Sequence, residues 1–230
     1  MNMMSISQQI DNRVATRKVL NHPFYQAWNR GELSLDALRD YAIQYYKHVQ
    51  AFPTYLSAVH AHTDEIEVRR HLLQNLVDEE AGRPNHPELW LQFVASLGID
   101  TGQAETAETR PETEAMIEVF RDICRNGSTA AGVAALYAYE SQIPEVSESK
   151  IDGLKRFYGF TDPEAYRYFT VHIEADKEHA AVERAVIDKL ESDADASEVL
   201  TAVERVLESL YALLSGVCDR HNIACDIAAA

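Results

Sequence analysis

The sequence predicts an all-α single-domain bundle of seven to eight helices, and three observations predict it. Apolar residues recur at helical spacing along almost the whole chain. Alternating strand-like runs are missing. Glycine (9) and proline (7) are too sparse for a turn-rich β design. At about 150 residues per domain, the 230 residues favour one domain over 1–230, with 219–230 as a tail.

A first helix is expected over residues 5–20, interrupted by Asn21 and Pro23. A short helix over 24–29 follows and ends at Gly31. Ser34 serves as N-cap for a long helix to about Thr63, in which Pro53 should introduce a kink. Asp64 can cap the next helix, which must break or distort at Gly82 and Pro84. Asn85 or His86 then caps a helix with Pro87 in its first turn, running to Gly98. Residues 99–112 are polar and threonine-rich and read as a loop. A helix to about Arg125 comes next. Ser128 or Thr129 opens another, kinked at Pro144 and stopped at Gly159. A long helix from Pro163 to about Leu190 and a last one over 196–218 complete the chain.

Acidic residues exceed basic ones, for a formal net charge of −16. Such a surface repels phosphate backbones and anionic lipid, so neither nucleic acid nor membrane partners are expected. Cys124, Cys218 and Cys225 form no CxxC pair and no even framework, and read as thiols in a reducing compartment. The segment MNMMSISQQIDNR lacks a basic start followed by an apolar run, so cytoplasm is the expected location.

Nucleotide, dinucleotide, serine-hydrolase and zincin motifs are absent from the sequence. The strongest local signal is His172, Asp176 and His179, spaced i, i+4, i+7. On a helix they share one narrow stripe, a natural ligand set for iron, manganese or zinc. The same spacing also suits a solvated polar face. Glu140 ends a run of apolar and small residues and is either an exposed rim carboxylate or a buried one needing a partner. Glu79 and His86 straddle Gly82 and Pro84, so spacing alone leaves His86 equally readable as a helix cap. Together the six are N/O ligands suited to two iron or manganese ions, without the ExxH pairs of ferritin-like bundles. Glu67 and His71 read as a surface pair. Tyr168 lies one turn before His172, and Tyr139 adjoins Glu140.

The stretches HPFYQAWNRGEL, QAFPTYLSAVHAHTDEIEVRRHLLQNLVDEE, GRPNHPELW, AAGVAALYAYESQIP and YFTVHIEADKEHA carry a resemblance. Over residues 15 to 215 or so, the chain resembles the haem-oxygenase-like di-iron oxidases, and within them the branch that makes p-aminobenzoate for folate. The resemblance implies that Glu79, His86, Glu140, His172, Asp176 and His179 hold two iron ions, or one manganese and one iron. It places the family's sacrificed tyrosine on Tyr25, its amino-donor lysine on Lys150, and site tyrosines on Tyr139 and Tyr168. It implies O2 and an external reductant as co-substrates, and a homodimer. Two other functions are compatible with the chain. One is a conventional di-iron oxidase acting on a free small molecule. The other is an adaptor binding partner helices, as the death-domain association of a chlamydial member implies. A thiaminase-like activity would need a pocket cysteine, for which Cys124 is the mid-chain candidate.

Overall fold

Ser5 opens the first helix, α1 (Ile6–Thr16), with a capping box: its hydroxyl accepts from Gln8 N–H, and Gln8 Oε1 accepts from Ser5 N–H. The computed structural model describes residues 4–190 and 195–224, and caps set most helix starts along it. Ser34, Asn85 and Ser128 each accept from the amide three residues on, each such cap stabilising its helix by about 1 kcal/mol. The helices that follow are α2 (Pro23–Arg30), α3 (Leu35–His62), α4 (Ile66–Glu80), α5 (His86–Ser96) and α6 (Thr101–Thr106). Then come α7 (Pro111–Asn126), α8 (Thr129–Glu140), α9 (Ile143–Phe157), α10 (Arg167–Leu190) and α11 (Ala196–Arg220). Two 3₁₀ turns, Val19–Asn21 and Pro163–Tyr166, lead into α2 and α10.

The all-α expectation holds, while the helix count is higher: eleven α-helices among the described residues. Two local features account for most of the difference. Asp100 accepts from Gln103 N–H and nucleates α6 inside the expected 99–112 loop. At Pro144 the chain breaks fully, with α8 ending at Glu140 and α9 starting at Ile143. Buried Gln142 stabilises the break by accepting from Val19 N–H and donating to Ala138 O. By contrast, α3 runs on through Pro53.

The helix at the centre of the bundle is α8, buried at every position from Ala130 to Glu140. A helix apolar all round has no solvent face to keep, and α7, α10 and α11 pack around it. One hydrophobic cluster extends from Ile6 to Cys218, each large side chain in it contributing roughly 1.5–3 kcal/mol of burial. At Gly153, α9 presses on α2: an added Cβ would sit 2.5 Å from Trp28. That close approach brings Lys150, one turn earlier, beside the residues of α2. At the far end, Arg220 and His221 both bond Asp40 of α3, at 2.7 and 3.0 Å. Cys225 and the rest of the expected tail beyond residue 224 lie outside the described residues.

Candidate metal centre

Helices α4, α5, α8 and α10 converge on two buried triads. Glu79, His86 and His172 form one; Glu140, Asp176 and His179 form the other, and within each the ligand atoms lie within 4.8 Å of one another. All six residues are buried. The stripe expected on α10 is real and faces inward, and Glu140, 1% exposed, is no rim carboxylate. His86 occupies the first turn of α5, but Asn85 makes the cap, which leaves the His86 ring for the site.

The ring orientations are fixed by outer partners. His172 Nδ1 lies 2.6 Å from Tyr168 O, so its Nε2 faces inward, 4.0 Å from Glu79 Oε1. Asp78 Oδ2 lies 3.2 Å from His179 Nε2, which turns Nδ1 toward Glu140 and Asp176 at 3.5 and 3.6 Å. His86 Nδ1 lies 2.9 Å from Glu79 Oε1. A histidine whose second nitrogen is held by a carboxylate or carbonyl is the arrangement that aims a metal ligand.

Several inward atoms have no hydrogen-bond partner among the described residues: His179 Nδ1, Glu140 Oε2 and Asp176 Oδ2. Buried orphans of this kind are costly in a bare protein core and ordinary for groups that bind cations, so the donor set fits two metal ions. Burial and the neighbouring His86 push His172 well below the usual histidine range, keeping it in the neutral form a metal requires. Burial alone would raise Glu140, but the nearby His179 and the bond from Asn75 hold it below the ordinary carboxylate range. Burial and adjacent Glu140 raise Glu183 well above that range.

Tyr168 stacks on His172 with ring centres 4.0 Å apart, and Tyr139 lines the same small cavity as four of the ligands. Tyr25 and Lys150 lie in an adjoining chamber. Tyr25 Oη is 3.2 Å from Tyr41 Oη, and Lys150 Nζ donates to Tyr41 Oη at 2.8 Å. The ammonium nitrogen lies 5.6 Å from the Tyr25 ring centre and 5.0–5.4 Å from those of Tyr41, Tyr45, Trp90 and Phe169. No carboxylate pairs with it among the described residues, and burial pulls its pKa down to about 7. Tyr45 links the two chambers: its ring is 5.2 Å from that of Tyr41, and its hydroxyl is 2.8 Å from Tyr139 Oη.

Tyr41, Tyr45, Trp90, Asn75, Asp78 and Glu183 were not singled out by the sequence. Glu183 had a visible signal, lying one turn beyond His179 on the same stripe. Of the expected surface pair, Glu67 is exposed while His71 is half-buried, its Nε2 turned inward and its ring 6.3 Å from that of His179. Cys124 lines neither chamber, and burial pushes its thiol up to about 12, so the thiaminase-like reading has no nucleophile there.

An all-helical bundle enclosing two buried N/O triads fits a di-metal site, and comparison with known proteins shows the family. The family model for iron-containing redox enzymes matches residues 39–211, and the chain belongs to that family. A 4-aminobenzoate synthase of Chlamydia muridarum is 47% identical to it, over 92% of this chain and 89% of that protein. One from Nitrosomonas europaea is 43% identical, over 96% and 95%. Among solved structures, a TenA homologue from Pseudomonas syringae pv. tomato superposes with a TM-score of 0.79 at 20% identity, covering 95% of this chain and 97% of that one. A protein with a haem-oxygenase-like fold from Shewanella denitrificans gives 0.80 at 18%, covering 94% and 92%. These two establish the fold. No helix among the described residues is long and apolar enough to cross a membrane.

The first triad straddles a helix break, since α4 ends at Glu80 and α5 begins at His86. A metal ion joining Glu79 to His86 should therefore hold residues 78–90 together. Metal loading is expected to slow amide exchange there by at least about tenfold, a stabilisation of ~1.4 kcal/mol. Equal protection with and without metal would show that the break is held by the protein alone.

Proposed function

We propose that this chain makes 4-aminobenzoate from the side chain of its own Tyr25, with Lys150 donating the nitrogen. The two triads would hold two iron ions, or one manganese and one iron; ligand chemistry of N/O type suits either pair. The observation that carries the reading is the placement of Lys150 and Tyr25 in one buried aromatic chamber, linked through Tyr41, Tyr45 and Tyr139 to the triads. When bound, the metal pair supplies the oxidising chemistry, drawing on O2 and an external reductant.

The chain's own residues do the rest. Tyr25 is 2% exposed, so the ring is held out of bulk water. It already carries a para oxygen, and its Cβ becomes the carboxyl carbon once the Cα–Cβ bond is cleaved. Nitrogen must replace that oxygen, which leaves as water, while a two-electron oxidation and hydrolysis break the Lys150 Cε–Nζ bond and leave Cε as an aldehyde; an amine attacks only when uncharged. Desolvation keeps a large share of Lys150 neutral near pH 7, where a solvated lysine would be almost wholly protonated. Tyr41 bonds both partners and fixes them relative to each other. We place the reaction in the cytoplasm, a reducing compartment in which Cys124 would stay the thiol it is here.

The test is a single-turnover assay. Metal-free protein is loaded without oxygen, with Fe(II) alone or with Fe(II) and Mn(II), then reduced and exposed to O2. The expected yield is no more than the one equivalent of 4-aminobenzoate per chain that a single Tyr25 can furnish, and none when metal, reductant or O2 is withheld. Metal analysis should find two ions per chain, reduced in His172→Ala and Glu140→Ala proteins. Full occupancy in both variants would overturn the ligand assignment.

A further inference from the structure

The break between α8 and α9 interrupts the packing of the core, and a small cavity remains beside it. Six aliphatic side chains form most of the wall: Val19 of the first 3₁₀ turn, Ile143 and Val146 of α9, and Leu210, Leu213 and Leu214 of α11. Tyr25, Tyr45, Tyr139 and Gln142 complete it. All of these residues are buried. The free space holds about one molecule the size of water or O2, too little for an aromatic ring.

Water is a poor occupant of such a space, because a buried water needs about two to four polar partners. The polar side chains on this wall are already engaged. Gln142 accepts from Val19 N–H at 2.9 Å and donates to Ala138 O at 2.7 Å. Tyr25 Oη is paired with Tyr41 Oη, and Tyr45 Oη with Tyr139 Oη. None of these side chains has an orphaned polar atom. Apolar cavities of this kind stay dry and take up apolar gases. The position of the cavity adds to its chemistry. Among the described residues, Tyr139 alone lines both this cavity and the one bordered by Glu79, Glu140, His172 and Asp176. A gas molecule held here is therefore one aromatic ring away from the triads.

We propose that this cavity is a binding site for O2, which it collects from water and delivers past Tyr139 to the metal centre. O2 is small and apolar and gives up no hydrogen bond on leaving water, so an aliphatic wall favours it. The cavity at the triads is bordered by carboxylates and imidazole and offers no such gain. Filling the apolar gap should therefore raise the O2 concentration that the reaction needs, while the six metal ligands and Lys150 stay as they are. This inference rests on the O2-dependent reading above.

The probes are xenon, an apolar gas that binds dry cavities without reacting, and O2 itself, whose paramagnetism broadens nearby resonances. Metal-free full-length protein with labelled Ile, Leu and Val methyls is titrated with each gas and followed by NMR. Saturable xenon shifts and O2 broadening are expected together on the methyls of Ile143, Val146, Leu210, Leu213 and Leu214. Val146→Phe, which puts a ring into the gap, should raise the xenon concentration for half-saturation by at least about tenfold. In metal-loaded, reduced protein the same variant should raise the half-saturating O2 concentration for 4-aminobenzoate formation by about threefold or more, with full yield at saturating O2. Leu213→Phe fills the gap from α11 and should do the same. Shifts and broadening confined to other methyls would overturn the O2 site, and so would filled variants with the O2 dependence of wild type. Should neither variant fold, the two wild-type gas titrations decide. Loaded wild-type protein that takes up no O2, while both gases still bind at these methyls, would instead overturn the oxidase reading and delivery to the metals with it.

Discussion

Tyr25→Phe protein should fold, bind two metal ions per chain and release no 4-aminobenzoate. The substitution removes one hydroxyl of the Tyr25–Tyr41 pair, while Tyr41 Oη still accepts from Lys150. The stability cost should be about that of one neutral hydrogen bond, ~1 kcal/mol. The triads lie in a separate chamber and should load normally. Product formation should nevertheless stop completely, because the phenylalanine ring has no para oxygen to exchange for nitrogen. A ring tethered at the site needs no binding step, and its effective concentration can greatly exceed that of any free substrate. Ring-labelled tyrosine incorporated during expression should therefore appear in the product, while free labelled tyrosine added to the assay should not. Sustained turnover, or full yield from Tyr25→Phe, would sink self-sacrifice and leave an oxidase acting on a free small molecule.

What the sequence made legible was local. Helical periodicity and capping residues such as Ser34, Asn85 and Ser128 are read within a few residues, and the helices begin where they indicate. The α10 stripe is local too, because one straight helix fixes the relative directions of His172, Asp176 and His179. Glu79 and His86 sit on different helices, so their spacing carried no geometry, and only the family resemblance joined them. Lys150 shows the same limit. Measured around an ideal continuous helix it would sit at a fixed angle from Glu140, but the break at Ser141 and Gln142 re-aims α9. Tyr41 and Tyr45, one turn apart on α3, look like ordinary core filling. Only tertiary packing brings their hydroxyls to Tyr25 and Tyr139. Asn75 and Asp78 are silent in the sequence because an outer hydrogen bond leaves no motif.

Lys150→Met should raise stability and abolish product, a pairing that a merely structural lysine would not give. Lys150 is buried, is caged by aromatic rings and donates a hydrogen bond to neutral Tyr41. Burial lowers its pKa from 10.5 to about 7. Between those values the unfolded chain binds a proton that the folded chain partly or wholly refuses. Stability therefore rises with pH across the window: the contribution is complete above about pH 10.5 and is lost as pH falls toward 7. At pH 7 the loss is roughly 4 kcal/mol, because each tenfold fall in proton affinity is worth about 1.36 kcal/mol. Methionine fills a similar volume without a charge to desolvate and gives up one hydrogen bond worth ~1 kcal/mol. A net gain of about 1–3 kcal/mol follows, or a rise in Tm of several degrees for a chain of this size. The advantage should shrink steadily between pH 7 and about 8.5 as wild-type protein recovers its own stability. Thermal unfolding of both proteins across that range, with metal analysis and product assay on the same samples, checks all three consequences. A Lys150→Met protein less stable than wild type at pH 7, or a gap that widens with pH, would show that the ammonium is not desolvated. The neutral amine needed to deliver nitrogen to the Tyr25 ring would then have no structural source.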